Sequence, residues 1–270
     1  MPQKYLNVDD VATLVHHRGT TTLPGVPPDT GRGRTVLCLH DAGSNGKQFA
    51  DLMDALATDQ SPIAYDQPGH GRSAGLDSLA TIAAMVDQLD AIASGWSLDA
   101  PVLVGEGLGA AVALQAATRH PDRVAALVLV GGAAASYDLG SEIDGLAAIT
   151  AGKARREFDR SGYAPDTERA VYQKAFANWV TTDPRATLGA RRAQADWSLE
   201  APPSVPTLIV VGEHEEPESV QAAGALADRL PEAQIRRLAG AGRHGVLEQP
   251  EALATAINEF LSSLDSEGAA

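Results

Sequence analysis

The feature that most constrains this chain is an alternation of short, almost wholly apolar runs with longer amphipathic stretches. Thr35–Leu39, Pro62–Tyr65, Pro101–Val104, Val124–Val130, Thr207–Val211 and Gln234–Leu238 read as strands. Helices are expected near Gly46–Ala57, at Ser78–Ser94, Ala110–Thr118, Glu218–Arg229 and Glu251–Leu261. The Ser78–Ser94 stretch places Leu79, Ile82, Val86, Leu89 and Ile92 on one face. A strand that is apolar along its whole length is buried on both sides, and helices between such strands supply the cover. The expected fold is therefore α/β, a mostly parallel sheet with helices on both faces. Residues 5–8 and 13–17 read as an antiparallel hairpin ahead of it.

The alternation breaks between residues 137 and 204, where no strand is evident. Beyond Tyr137, six of the chain's twelve aromatic residues fall before Ser204: Phe158, Tyr163, Tyr172, Phe176, Trp179 and Trp197. They can pack a helical layer onto the main domain, or line an apolar pocket beneath a lid; the two roles are compatible. The expected division is a core of residues 1–136 and 205–265, a helical cap over 137–204, and a flexible tail at 266–270. Tyr137 and Trp179 are candidate substrate contacts.

A net charge of −14, from 35 acidic and 21 basic residues, opposes binding to phosphate backbones. The basic stretches Lys153–Arg156 and Arg191–Arg192 are too short to offset it. No apolar run reaches the roughly 20 residues of a membrane span, and the first residues lack the pattern of a signal peptide. A cytoplasmic protein is expected, as monomer or homodimer, with a small-molecule ligand and neither nucleic acid nor membrane as partner. The single cysteine, Cys38, lies in the run VLCLH and reads as a small buried hydrophobe. No metal site or organic cofactor is expected: the glycine-rich segment Gly105–Gly109 lacks the lysine of a phosphate loop, and the first strand carries no dinucleotide fingerprint.

Five segments carry a family likeness. They are His40-Asp41-Ala42-Gly43, the run Asp66-Gln67-Pro68-Gly69-His70-Gly71-Arg72-Ser73, Gly105-Glu106-Gly107-Leu108-Gly109 at a strand-to-helix turn, Val211-Gly212-Glu213-His214-Glu215, and Gly240 to Pro250. Together they resemble the α/β-hydrolase superfamily, especially its small esterases, lactonases and carbon–carbon bond hydrolases, from about residue 34 to 262. The resemblance implies an α/β-hydrolase sheet with a helical cap. It also implies an oxyanion hole formed by the amides of Ala42 and Leu108, the latter opening a helix whose first amides favour negative charge.

The catalytic positions drift from the family pattern. The nucleophile elbow G-x-S-x-G falls on Gly105–Gly109, so the nucleophile position is Gly107, which keeps a tight turn but has no atom to attack a carbonyl. The space of the missing side chain is expected to admit water or a ligand group. Glu215 stands where the family's acid lies and can orient a histidine. Counting back from Glu248 puts Arg243 at the histidine position and His244 one residue late; either side chain can face the pocket. Asp41 brings a carboxylate to the oxyanion turn, where it would oppose charge development if it pointed inward; its other role is to brace the turn. Glu106 is a replacement base or, pointing under the turn, a structural group. His40 and His70 belong to the scaffold turns.

The resulting expectation is a hydrolase-fold enzyme acting on a small to medium apolar carbonyl or ester-like compound without a serine nucleophile. Either His244, oriented by Glu215, activates water, or His244, Glu106 or Asp41 moves a proton in a lyase, isomerase or cyclase reaction. The alternative is a non-catalytic binding protein that kept the pocket and lost the triad. A serine deliberately replaced to trap a ligand is a third reading, disfavoured by the displaced histidine. Four lysines against seventeen arginines suggest a high-GC bacterial genome, and the resemblance then points to secondary metabolism or aromatic catabolism.

Overall fold

The computed structural model describes residues 2–20, 23, 26–131 and 139–267. Strands β1 (Gln3–Val8) and β2 (Val11–His17) form the hairpin, and β3 (Thr35–Leu39), α1 (Ala50–Leu56), β4 (Ser61–Tyr65) and α2 (Ile82–Gly95) follow. Next come β5 (Val102–Glu106), α3 (Leu108–Arg119) and β6 (Ala126–Val130), then α4 (Gly140–Thr150), α5 (Arg169–Trp179) and α6 (Pro184–Ala195). The chain closes with β7 (Thr207–Gly212), α7 (Pro217–Ala227), β8 (Ala233–Leu238), α8 (Gly245–Glu248) and α9 (Pro250–Glu267). The eight strands are ordered β1-β2-β4-β3-β5-β6-β7-β8. The contacts of β2 with β1 and β4 are antiparallel and all the others parallel.

The pleat sorts each strand's side chains onto two faces. Leu37, Leu39, Leu103, Leu127 and Ile209 join Val86, Leu89 and the alanine-rich side of α3 in one core. Val36, Cys38, Val104, Val128 and Val210 pack with α1 and α9 in the other. Two buried faces require strands apolar along most of their length, which is how β3 to β7 read. Close approach of α3 to β3 depends on Gly109, where an added Cβ would lie 2.0 Å from the Leu39 carbonyl oxygen.

Local chemistry moves three boundaries. The helix expected from Ser78 begins at Ile82, because the Thr81 side chain accepts from the Ala84 amide and fixes the first turn there. The stretch 46–57 divides into a 3-10 turn at Gly46–Phe49, with the Asn45 side chain as cap, and α1. At the end, α9 runs to Glu267, so residues 266 and 267 are helical rather than tail.

Among the described residues the segment between β6 and β7 contains helices and no strand. It is tied to the core by α6, whose end presents Trp197 to Gln115 of α3 at 2.8 Å. Its aromatics meet one another and a cavity. Phe158, Phe176 and Trp179 stack on one another at 5.5–5.6 Å between centroids, and Phe158, Tyr163 and Trp179 also line a cavity. Among the described residues no helix is long and apolar enough to cross a membrane.

Candidate functional site

The site is assembled at the carboxyl ends of β3, β5 and β7, under the helical insertion. Glu106 ends β5 and Leu108 opens α3, so the chain reverses at Gly107, whose φ of +54° and ψ of −113° suit a residue without a Cβ. A cavity of about 710 Å³ lies above this turn. It is lined from the core by Asp41, Ala42, Glu106, Glu215, Arg243 and His244, and from the insertion by Phe158, Tyr163, Trp179 and Arg191.

Asp41 points inward. Its Oδ1 accepts the Leu108 amide at 2.8 Å, and Arg191 of α6 grips both carboxylate oxygens at 2.7 and 2.8 Å. A Cβ on Gly107 would fall 2.1 Å from the same Oδ1. The space expected to be open is therefore filled by a carboxylate of the protein, and the Leu108 amide expected to await an oxyanion already holds one. Burial opposes ionisation of Asp41, but the Arg191 guanidinium, the nearby charge of Arg243 and the Leu108 amide outweigh it. The carboxyl titrates well below the usual carboxylate range.

Arg191 is itself buried and also donates to Glu142 of α4 and Gln194, each at 2.8 Å. Burial works against its charge, but Asp41 and Glu142 more than restore it and hold its pKa above the ordinary value. Arg243 adds a guanidinium nitrogen 3.7 Å from Asp41 Oδ2. The backbone of Asp41 is fixed as well: His40 Nε2 accepts the Gln67 amide at 3.0 Å, which leaves Nδ1 to donate to the Asp41 carbonyl at 2.8 Å. His40 acts as scaffold, as its turn suggested.

Glu106 is buried and bonded to the neighbouring 46–49 turn, as its structural reading had it, and it also lines the cavity. Its Oε2 accepts from Gln48 Nε2 at 2.6 Å, while its buried Oε1 has no hydrogen-bond partner and stands 3.8 Å from His244 Nδ1. A tight strand-to-helix turn and the Gln48 amide together swing the side chain to the cavity floor. His244 precedes the short α8, a quarter exposed, with its ring 4.3 Å from that of Tyr163. Both His244 and Arg243 line the cavity.

Glu215 reaches the same cavity, but its Oε1 accepts the Gly212 amide at 2.9 Å, folding it back onto the end of β7. The carboxylate 3.8 Å from the histidine is that of Glu106. Trp179 lines the cavity with the Arg156 guanidinium 3.9 Å over its ring. Tyr137 lies outside the described residues. Among the described residues no group of three or more His, Cys, Asp or Glu side chains is arranged to hold a metal ion.

Sequence reasoning missed Arg191, Glu142 and Gln48. Arg191 read only as half of a short basic pair, and nothing local marks it as the partner of a residue 150 positions away.

A parallel α/β sheet with a sharp strand-to-helix turn above its central strands, and a helical insertion after the following strand, is the architecture of a hydrolase-type α/β protein. Residues 36–256 match the Alpha/beta hydrolase family, and the chain belongs to it. It is 25% identical over 256 residues to a 2-hydroxymuconate semialdehyde hydrolase of Pseudomonas sp. (strain CF600), covering 88% of this chain and 90% of that one. It is 37% identical over 132 residues to a pimeloyl-[acyl-carrier protein] methyl ester esterase of Neisseria meningitidis, covering 48% of each. The crystal structure of the enol-lactonase from Burkholderia xenovorans LB400 is similar with a TM-score of 0.81 at 18% identity, covering 96% of this chain and 99% of that one. At that identity the likeness concerns the fold alone.

Proposed function

We propose that this protein acts on a small, mostly apolar carbonyl compound by acid–base chemistry at His244, without an acyl-enzyme. In this reading Gly107 is the vacant nucleophile position and residues 137–204 are the cap. The observation that carries it is the Asp41 carboxylate, seated on the Leu108 amide and in the space of a residue-107 side chain. A carboxylate there repels a developing oxyanion, so an ester-cleaving cycle through this turn has lost both its nucleophile and half its anion site. What remains is a histidine beside a buried carboxylate in a cavity of ligand size. His244 takes a proton from a carbon next to the carbonyl, or from water. Glu106 balances the charge left on the imidazole, and the Arg243 guanidinium faces the oxygen that becomes negative. The similarity to a hydrolase named for a semialdehyde substrate supports a small carbonyl compound as ligand.

The test is exchange of carbon-bound hydrogen for deuterium in D₂O, followed by NMR on a panel of small ketones and 1,3-dicarbonyls. Exchange should be catalysed by the native protein and fall about a hundredfold or more in His244→Ala. An organophosphorus reagent selective for activated nucleophiles should leave the protein mass unchanged. Equal exchange by native protein and variant, or a covalent adduct at the site, would overturn the proposal. The second reading is ligand binding alone, favoured by the same Asp41 plug. It predicts that the panel binds with no exchange above the buffer rate.

A further inference from the structure

We infer that the cavity takes a ligand carrying a protonated amine, an organic ammonium with an aromatic or apolar body. The inference rests on the reading that this cavity is the working site, but not on the chemistry proposed for it. The charge of the lining is lopsided: eight carboxylates face three guanidinium groups. Arg191 is bound to Asp41 and Glu142. Arg156 lies on the Trp179 ring and donates to the Trp179 carbonyl at 2.9 Å. Glu157, Asp159, Glu216 and Glu218 stand exposed at the rim. Such a mouth concentrates cations and turns away carboxylates and phosphates.

An acidic rim by itself is a solvated surface. The second observation lies at the floor. Glu106 lines the cavity, its Oε1 is buried and accepts no hydrogen bond, and at 3.8 Å the His244 imidazole stands outside hydrogen-bond reach. A buried carboxylate oxygen without a donor is costly, and an N–H from a bound ammonium removes that cost with a charge-assisted bond. Phe158 and Trp179 on the wall supply apolar area for the body of the molecule.

The experiment is isothermal titration of the native protein with three ligands of one shape and different charge: 2-phenylethylamine, 2-phenylethanol and phenylacetate. The amine should bind more tightly than the alcohol by on the order of ten- to a hundredfold, and phenylacetate should bind most weakly. In Glu106→Gln, with its fold checked by circular dichroism, the amine should lose most of that advantage over the alcohol. Equal binding of all three, preference for phenylacetate, no binding by any, or an unchanged amine affinity in a folded Glu106→Gln overturns the inference. Amine binding without catalysed exchange would defeat the acid–base proposal and leave this inference standing. Exchange without amine preference would do the reverse.

Discussion

The Asp41 carboxylate stands 2.1 Å from the point where a Cβ on Gly107 would fall, so the missing side chain at 107 and the acid at 41 are one structural fact. Either residue alone would be an oddity. Together they fill this strand-to-helix turn with the Asp41–Arg191 ion pair.

Placing a serine at 107 should therefore not by itself produce an esterase. Gly107→Ser forces an atom into the Asp41 carboxylate, an overpacking that should cost about 1–3 kcal/mol, and aryl esters should remain uncleaved. In an Asp41→Gly background the same change should cost less, with a coupling of about 0.5–3 kcal/mol. Urea unfolding of the four proteins measures this directly. Strictly additive costs would show that the two side chains do not compete for the space.

Arg191 joins the insertion to the core through Asp41 and Glu142, and the two contacts should differ in worth. Arg191→Met leaves a buried carboxylate without its cation, a loss of about 3–5 kcal/mol. Asp41→Leu combined with Arg191→Met removes both charges and should recover much of that. Glu142 is 41% exposed, so Glu142→Gln should cost no more than about 1 kcal/mol. Chemical denaturation gives the order, and a Glu142 effect as large as that of Arg191 would contradict the ion-pair account.

The parallel sheet was legible because each of its apolar strands must be covered on both faces, as the two cores around Leu37 and Cys38 show. The site was legible only in part. Gly107, Asp41, Glu106 and His244 could be singled out through the resemblance to the family's motifs, His244 standing one residue late in its motif. Their orientations could not be read that way. Whether Asp41 braces its own turn or enters the site depends on Arg191, which comes from a helix with no motif. Whether Glu106 points under the turn or into the cavity depends on the Gln48 amide. Side-chain direction at a loop is decided by its long-range partner, and a single sequence carries no signal for such a pair.

Cys38 lies in β3 with no exposed surface, and burial pushes its thiol pKa up, so the nucleophilic thiolate is scarce. A thiol reagent should leave the folded protein unlabelled and react at the rate at which the sheet opens. Labelling across a urea series should follow the global unfolding transition. Fast labelling of the native protein would mean that β3 opens locally.

Acid should destabilise the protein before its carboxylates titrate, because of buried histidines. His70 is fully buried and its pKa is pushed down to about 3, first by burial and then by the neighbouring His40. Its Nδ1 faces the Pro68 carbonyl at 3.1 Å and its Nε2 has no partner, so a proton added at Nε2 would be buried without an acceptor. In the unfolded chain the same ring titrates near its ordinary 6.5. The unfolded state therefore binds the proton more readily. The stability that neutral His70 represents is complete above pH 6.5 and is lost as pH falls from there toward 3, by up to about 1.4 kcal/mol per pH unit. His40 and His17 are shifted in the same direction. Asp41 also favours the folded state only while ionised, but its loss begins below the ordinary carboxylate value of 3.8. A slope of unfolding free energy between about pH 5 and 6.5 then belongs to the histidines. His70→Asn, whose amide can still donate to Pro68, should reduce that slope whatever it does to absolute stability. A slope unchanged in the variant would mean that His70 takes up no extra proton on unfolding.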